Sequence, residues 1–581
     1  MGLVAIRVLR VLRTVALIVT IAVIVFFATI GYNRDPAAYV LMATAIGPGV
    51  AWFLLRKAVF RAEAQSRGRR RWGGDPERVA RPRHTRLEEL FAAYTEHTKD
   101  DQSGYVDDRT WNDLDMEEVI DQVDVCFTFA GRNELRRTLR HALPDSEVLA
   151  RRTKEIDAFT TDQEHRESVA IGLATIGEDR DADPASVLWG DAAHGERRLP
   201  LYVLMSSLSV LSILVTAFVS LTTGMLMILT VFVTNMWIHY RHSRHVAIYI
   251  AALRVMSRMI EAAAELPVDQ RNLSVVRRAR GALRWLLTGA PNPTMRPAAD
   301  DLFESLFIYL KIYFQIDMIA YERIIGRVRS NAAAYQQLYQ EIGALDATYS
   351  LASCRERRQT CSVRTGEGVS AVGLYHPLIP RPVANTISLS SPGAIVTGTN
   401  MAGKSTFLRT VGINALFAQS AGFAFATEYT AARFRVLSSI DKGDDLAEGK
   451  SFYYDEAERI YRMMERLDAD EPALLLIDEL LSGTNSLERE SASIAILHYL
   501  SQHNAVTIAA THDVAIARGV ADQYALHYFT DDANEDGLTF DYLLHEGVVQ
   551  TRNAIKLLRL IGYPDDVIEA ALKRTEAPEG T

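Results

Sequence analysis

The sequence predicts a multidomain chain in three parts: transmembrane helices, an all-α region, and a C-terminal α/β domain built on a mostly parallel sheet. Three observations lead there. Long uncharged apolar runs stand near the N-terminus and again in the middle of the chain. Apolar residues recur at three- and four-residue steps over 85–180 and 241–350. From about residue 370, short β-branched runs alternate with helical stretches.

Length and composition agree with this division. A chain of 581 residues is too long for one hydrophobic core. A net charge of −9 excludes a protein that coats nucleic acid along its whole surface, though local basic patches remain. Cys126, Cys354 and Cys361 show no paired metal spacing and no disulfide framework, which fits a reducing cytosolic environment for the soluble parts.

The apolar runs are read first. Residues 14–31, TVALIVTIAVIVFFATIG, carry no charge and are long enough to cross a hydrocarbon core. A second run, 39–55, has Gly47-Pro48-Gly49 near its centre, where a kink is expected. A third zone, 199–239, is about twice the spanning length and is expected to break at Thr222-Thr223-Gly224, giving a helical hairpin. A buried core helix or a signal peptide is the plainer alternative, but a signal has a shorter apolar core and needs no second span. Arg7, Arg10 and Arg13 precede the first run, and Arg56, Lys57, Arg61 and Arg67 follow the second. Arg197, Arg198, Arg241 and Arg244 flank the third zone, while the turns inside the pairs carry only Arg34. The positive-inside rule then predicts a multi-pass membrane protein with both termini and the large segments in the cytoplasm.

The expected boundaries follow: an N-terminal transmembrane hairpin over 1–56, a basic linker over 57–84, a helical region over 85–198, a second hairpin over 199–240, more helices over 241–365, and the α/β domain over 366–581. The Arg-rich linker could touch nucleic acid, but beside a span anionic lipid headgroups are the nearer partner. The Tyr and Phe residues of 241–350 fall at helical spacing and read as core.

Chemistry enters at 395–415, IVTGTNMAGKSTFLRTVGINA. Gly398, Gly403, Lys404 and Ser405 stand at the G-x-x-x-x-G-K-[ST] spacing of a phosphate-binding loop, between an apolar strand and a helix. Glycines let the backbone wrap an anion with its N–H groups turned inward, the lysine reaches the outer phosphates, and the hydroxyl holds Mg2+. The helix beginning at Ser405 adds its positive end. ALLLIDELL, 473–481, is a buried strand ending in Asp478-Glu479, a Walker B arrangement. Asp478 would hold magnesium and Glu479 would orient or deprotonate the attacking water. TIAAT then leads to His512, a third polar strand end and a candidate γ-phosphate sensor, although a lone histidine is more often structural.

These motifs resemble one family, the MutS ATPases. TGTNMAGKST, residues 397–406, is similar to the MutS phosphate loop, including the Asn400-Met401 pair that generic loops lack. YHPLI, 375–379, with Asn385 resembles the stretch that helps form the MutS adenine pocket. DELLSGTNS looks like the MutS Walker B and D-loop, and ATHD like its switch histidine. DVCFTFAGRNELRRTLRHAL and ALDATYSLAS look like the start and the return of the MutS helical core, and YLLHEGVVQTRNAIKLLRLIGYPDDVIEAAL like the last ATPase elements.

The resemblance implies an all-α MutS-core-like domain and a C-terminal α/β P-loop ATPase domain of the ABC type. It implies ATP and Mg2+ as cofactors. Gly398, Thr399, Asn400, Met401, Ala402, Gly403, Lys404, Ser405 and Thr406 would surround the phosphates, with His376, Pro377 and Leu378 near the base. Ser405 and Asp478 would hold the metal, and Lys404, Glu479 and His512 would act in hydrolysis. It further implies a homodimer, in which Ser451 meets the partner subunit's γ-phosphate.

The departures are as informative. MutS mismatch readers carry a Phe-x-Glu wedge in an N-terminal domain, and residues 1–84 offer no such domain. The MutS DNA clamp would fall between about 180 and 300, where this chain has its second hairpin. Ser-Phe-Tyr at 451–453 replaces Ser-Thr-Phe, and Leu481-Ser482 replaces Gly-Arg. Two functions follow as expectations: a membrane-anchored ATPase that binds DNA non-specifically through phosphates, or an ATP-driven mechanical coupler of a membrane or cytosolic protein partner without nucleic acid. An ordinary ABC exporter fits less well, because four spans with short loops are few for a transport pathway.

Overall fold

The computed structural model describes residues 7–16, 19–20, 46–74, 104–177, 183–189, 198–268, 309–399, 402–440, 452–468, 470–481, 485–534, 537–548 and 562–576. Most of the expected first span, and the linker over 75–84, lie outside them. The chain divides into two compact units. One is formed by 1–100, 124–135 and 156–353, the other by 101–123, 136–155 and 354–581.

The first unit is helical among its described residues. A helix runs over Ile46–Arg71. Gly47, Pro48 and Gly49, where a kink is expected, are helical and stand at the edge of the described residues. The expected linker is corrected, since the Arg-rich stretch continues this helix through Arg71. Its apolar face buries Val59, Ala62 and Ala64. Its arginines find partners: Arg69 pairs with Glu167 at 3.1 Å, and Arg71 stacks on the Phe127 ring at 4.7 Å. Charge content alone suggested solvent; paired charges on a helix with small apolar residues give a packed element.

Two helices, Leu199–Phe218 and Leu221–Ala262, form the hairpin. The break lies at Val219-Ser220, two residues before the expected Thr222-Thr223-Gly224. Ser220 has extended backbone and accepts a hydrogen bond from the Thr223 N–H, so it caps the second helix. Gly224 packs against the Thr216 backbone, where a side chain would collide. Leu199–Phe218 and Leu221–Arg241 are long and apolar enough to cross a membrane, and most of their side chains face outward: Leu204, Leu214, Leu226, Leu229 and Trp237 are all about half or more exposed. The second helix does not stop at residue 240 but continues to Ala262, 42 residues in all.

Two segments resembling the MutS core meet at Asp346, on the helix Ala332–Arg357. Its buried carboxyl accepts from the Phe127 N–H at 3.0 Å, the Thr128 N–H at 2.8 Å and the Thr128 hydroxyl at 2.7 Å. Tyr349, one turn on, packs edge-on to Trp72 and Phe159. Asp183 is likewise buried and satisfied, by Asn133, Tyr339 and the Ala185 N–H.

The second unit carries the sheets. The strands are β1 Cys361–Thr365, β2 Val369–Leu374, β3 Asn385–Leu389, β4 Gly393–Thr397, β5 Phe423–Ala424, β6 Glu428–Ala431, β7 Arg435–Ser439, β8 Ala473–Asp478, β9 Ala505–Thr511, β10 Ala525–Tyr528, β11 Asp531–Asn534, β12 Gly537–Phe540 and β13 His545–Glu546. The main sheet has the order β13-β10-β4-β9-β8-β7, parallel except for β13. β4 and β9 are buried along their whole length, as strands covered by helices on both faces must be. A mixed sheet, β3-β2-β6-β1-β5, lies beside it in the chain order, so sheet structure begins at Cys361, a few residues before the expected boundary at 366. The helix Asp108–Asp113 seals the edge strand β7: the Asp113 carboxyl accepts from the Ser438 hydroxyl at 2.6 Å and the Ile440 N–H at 2.9 Å. All three cysteines are free thiols.

Burial raises the Asp346 carboxyl to about 7, against the pull of its N–H and hydroxyl donors and of Arg71. A carboxyl raised on folding binds more protons in the native state, so its contribution to stability is present at low pH and is lost as pH rises through about 7. Thermal unfolding followed between about pH 5 and about pH 8 should therefore show a falling component that Asp346→Asn removes. An unchanged slope in the variant would show that Asp346 does not titrate in this range.

Candidate nucleotide site

The register of three parallel strands assembles this site. Thr397 of β4 pairs with Thr511 of β9, and Asp478 of β8 pairs with Ala510. The carboxyl ends of β4, β9 and β8 therefore finish within one residue of each other at one sheet edge, where open α/β sheets bind ligands. Everything that follows leaves from that edge.

Gly398 and Thr399 follow β4, and Gly403 leads into the helix Lys404–Ala421. Gly403 has φ +102°, a left-handed conformation that suits glycine. Lys404 is 5% exposed, and its ammonium donates to the carbonyls of Gly398 at 2.8 Å and Thr399 at 3.0 Å. The lysine thus lies folded across the loop. Ala402 is buried beneath it, while Ser405 and Thr406 open the helix. Asn400 and Met401 lie outside the described residues, and so does Ser451.

The Ser405 hydroxyl donates to a carboxylate oxygen of Asp478. Two hard oxygen donors side by side, one of them an acid, suit a magnesium ion. Glu479, the next residue, stands at φ +57°. Its N–H still donates to the Ala510 carbonyl at 2.9 Å, so the peptide stays in the sheet while the side chain is redirected. That carboxylate meets Nδ1 of His512 at 2.8 Å. Asp513, immediately after, caps the helix Val514–Gly519 and pairs with Arg489 at 3.2 Å, which fixes the backbone that carries His512.

His376 is 6% exposed, and its Nδ1 accepts from the Leu378 N–H at 3.2 Å. Burial, with the nearby Arg409 guanidinium, lowers it to about 4, so the ring is neutral at physiological pH. Asn414, on the Lys404–Ala421 helix, donates to the Tyr375 carbonyl at 3.3 Å and ties the 375–378 stretch to that helix.

One part of the arrangement was not legible beforehand. Asn385 donates to the Tyr542 carbonyl at 3.1 Å and accepts from the Leu544 N–H at 2.7 Å. The Tyr542 ring in turn lies where a side chain at Gly403 would touch it, at 3.2 Å. His545 pairs with Asp541 at 2.8 Å and stacks on Tyr528. Asn385 thus holds residues 541–545, and the Tyr542 ring meets the loop at Gly403. The only sequence signal was Asn385 itself, and an asparagine gives no indication of a partner so far along the chain.

Comparison with known proteins agrees with this geometry. Residues 394–578 match the family model of MutS domain V. Over this C-terminal part the chain is similar to the MutS family. It is 30% identical over 249 residues to the DNA mismatch repair protein MutS of Thermus thermophilus, covering 42% of this chain and 30% of that one. It is 28% identical over 278 residues to the DNA mismatch repair protein MutS 2 of Halobacterium salinarum, covering 45% of this chain and 32% of the relative. The chain therefore spans about a third of the length of these curated relatives.

Proposed function

We propose that this chain is a membrane-anchored, magnesium-dependent ATPase that switches a homodimer between nucleotide states. The observation that carries the reading is the convergence of Lys404, Ser405, Asp478, Glu479 and His512 at one sheet edge. On this reading, the Lys404 ammonium leaves the loop carbonyls for the outer phosphates of ATP, and the loop N–H groups hold the remaining oxygens. Ser405 and Asp478 hold magnesium, which supplies charge neutralisation at the phosphates. Glu479 accepts a hydrogen bond from the attacking water. His512, bonded to Glu479, reports the γ-phosphate by exchanging that bond for one to a phosphate oxygen. Neutral His376 and the 541–545 segment flank the base. Ser451 completes the site of the partner subunit, as the resemblance implies.

The anchor is the hairpin Leu199–Phe218 and Leu221–Arg241, with a helix of 20 residues spanning about 30 Å. The basic residues at 7–13 and along the helix Ile46–Arg71 suit a cytoplasmic side. The relatives' names point to DNA as the ligand, held here through phosphate contacts without a mismatch wedge. A second reading, a mechanical coupler, is favoured by the 42-residue helix Leu221–Ala262, whose apolar half continues without a break into a packed half that buries Leu253, Met256 and Ile260. An unbroken helix can pass a displacement along its axis.

Lys404→Ala should abolish ATP turnover and weaken nucleotide binding, because the charge serves ground and transition states alike. Glu479→Gln should keep ATP binding and stall, since its carboxylate acts on water alone. Steady-state hydrolysis and equilibrium binding separate the two, and a Glu479→Gln protein turning over at the parent rate would remove Glu479 from this role.

DNA affinity, where present, should fall steeply with salt and ignore base identity. Titration of matched against singly mismatched duplex at two salt concentrations checks this. A preference for the mismatch of about tenfold, about 1.4 kcal/mol, persisting at high salt would reveal a base reader and favour a repair role.

A further inference from the structure

We propose that Arg489, on the helix Ser486–Ser501, is a positioning residue for ATP hydrolysis, and that this helix braces the contact between Glu479 and His512. The proposal rests on the ATPase reading of the site and adds a residue that acts only through the neighbours of that contact.

The need for a brace is local. Glu479 and Leu481 stand at φ +57° and φ +53°, two left-handed residues on either side of Leu480. Residues with a side chain resist this conformation, and it persists only where the surroundings impose it. The His512 side chain is 45% exposed, so packing does little to hold its ring. The bond of 2.8 Å between His512 and Glu479 therefore depends on how the two backbones are placed.

One helix reaches both backbones. Ser486–Ser501 starts from Asn485, whose side chain accepts from the Glu488 N–H at 2.9 Å. Arg489 and Ser493 stand one turn apart and share a face of the helix. Arg489 pairs with Asp513, the residue after His512, at 3.2 Å. The buried Ser493 hydroxyl donates to the carbonyl of Leu480, the residue after Glu479, at 3.4 Å. A further turn on, Leu497 shares one core with Leu480 and Ile516. The short helix that follows His512, Val514–Gly519, closes on the brace at Gly519, where a side chain would collide with Ile494.

Asp513 connects the brace to His512. One carboxylate oxygen accepts from Arg489, and the other accepts from the Ala515 N–H at 3.0 Å and caps the short helix. The Asp513 N–H donates to the Thr511 hydroxyl at 3.0 Å, at the end of β9. Arg489 and Asp513 are both largely buried, so solvent screens them less than it would a surface pair.

The groups assigned to the phosphates and the metal, Lys404, Ser405 and Asp478, stand on the phosphate-loop helix and on β8. Loss of the Arg489–Asp513 pair frees the backbone beside His512 and leaves those groups in place. Hydrolysis should suffer, because a small misplacement of a reacting group is costly, while nucleotide binding should not.

The test compares steady-state hydrolysis of ATP with magnesium by the full chain, its Arg489→Gln, Arg489→Lys and Asp513→Asn variants, and the Arg489→Gln/Asp513→Asn double variant. Affinity is read beside it from binding of a fluorescent ATP analogue. Asparagine still caps a helix, so Asp513→Asn removes the charge and keeps the cap. Arg489→Gln and Asp513→Asn should each lower kcat about tenfold with affinity within about twofold of the parent, and the double variant should lose no more than either alone. Arg489→Lys should recover part of the loss, since it keeps the charge. A kcat within about twofold of the parent in both single variants would overturn the proposal, and so would a loss of affinity that matches the loss of kcat. Where Arg489→Gln does not fold, Asp513→Asn decides. A parent protein without turnover that Lys404→Ala removes would overturn the ATPase reading itself, and the proposal with it.

Discussion

The candidate nucleotide site depends on one constraint, the in-register pairing of β4, β9 and β8. Side chains alternate along a strand, so a slip of one residue would turn Asp478 to the opposite face and take its carboxylate away from Ser405. The register is held by burial. Ile395, Leu475, Ile477 and Ala509 share one core with Leu497 and Val520 from the covering helices, and none has more than a few per cent of its surface exposed. The polar edge is thus positioned by apolar packing beneath it. Glu479 shows the local cost, a left-handed backbone at a non-glycine residue, which the flanking sheet bond to Ala510 sustains.

A different constraint governs the hairpin. Its outward-facing leucines, valines and Trp237 form an apolar surface among the described residues, and the proposed anchor rests on it. Its inner face is the reverse, with Ser209, Ser212 and Asn235 bonded to Tyr313 or Gln315 of the neighbouring segment.

The strands and helix that carry Gly398–Lys404, Asp478-Glu479 and His512 were legible because each is local: a few residues whose flanks encode strand and helix. The two strands and the helix that carry the loop and the acid pair formed where the apolar runs placed them. Tertiary pairings were harder to see. The Arg-rich stretch before Arg71 looked solvated because its partner Glu167 and the Phe127 ring lie far along the chain. The hairpin turn shifted to Ser220 because a cap hydrogen bond outweighed the glycine signal at Gly224. Residues 309–319 looked like ordinary helical core, since periodicity reports that a face is buried but not against what. The link from Asn385 to Tyr542 left no local trace.

The central claim is that one sheet edge, with its flanking 375–378 and 541–545 segments, forms an ATP site. Photolabelling with an azido-adenine analogue of ATP, followed by mass spectrometry of the labelled peptides, tests it most directly. The account predicts label on peptides containing His376–Leu378 or Tyr542–His545, displaced by unlabelled ATP with magnesium. ATP-competable label confined to other segments would contradict it.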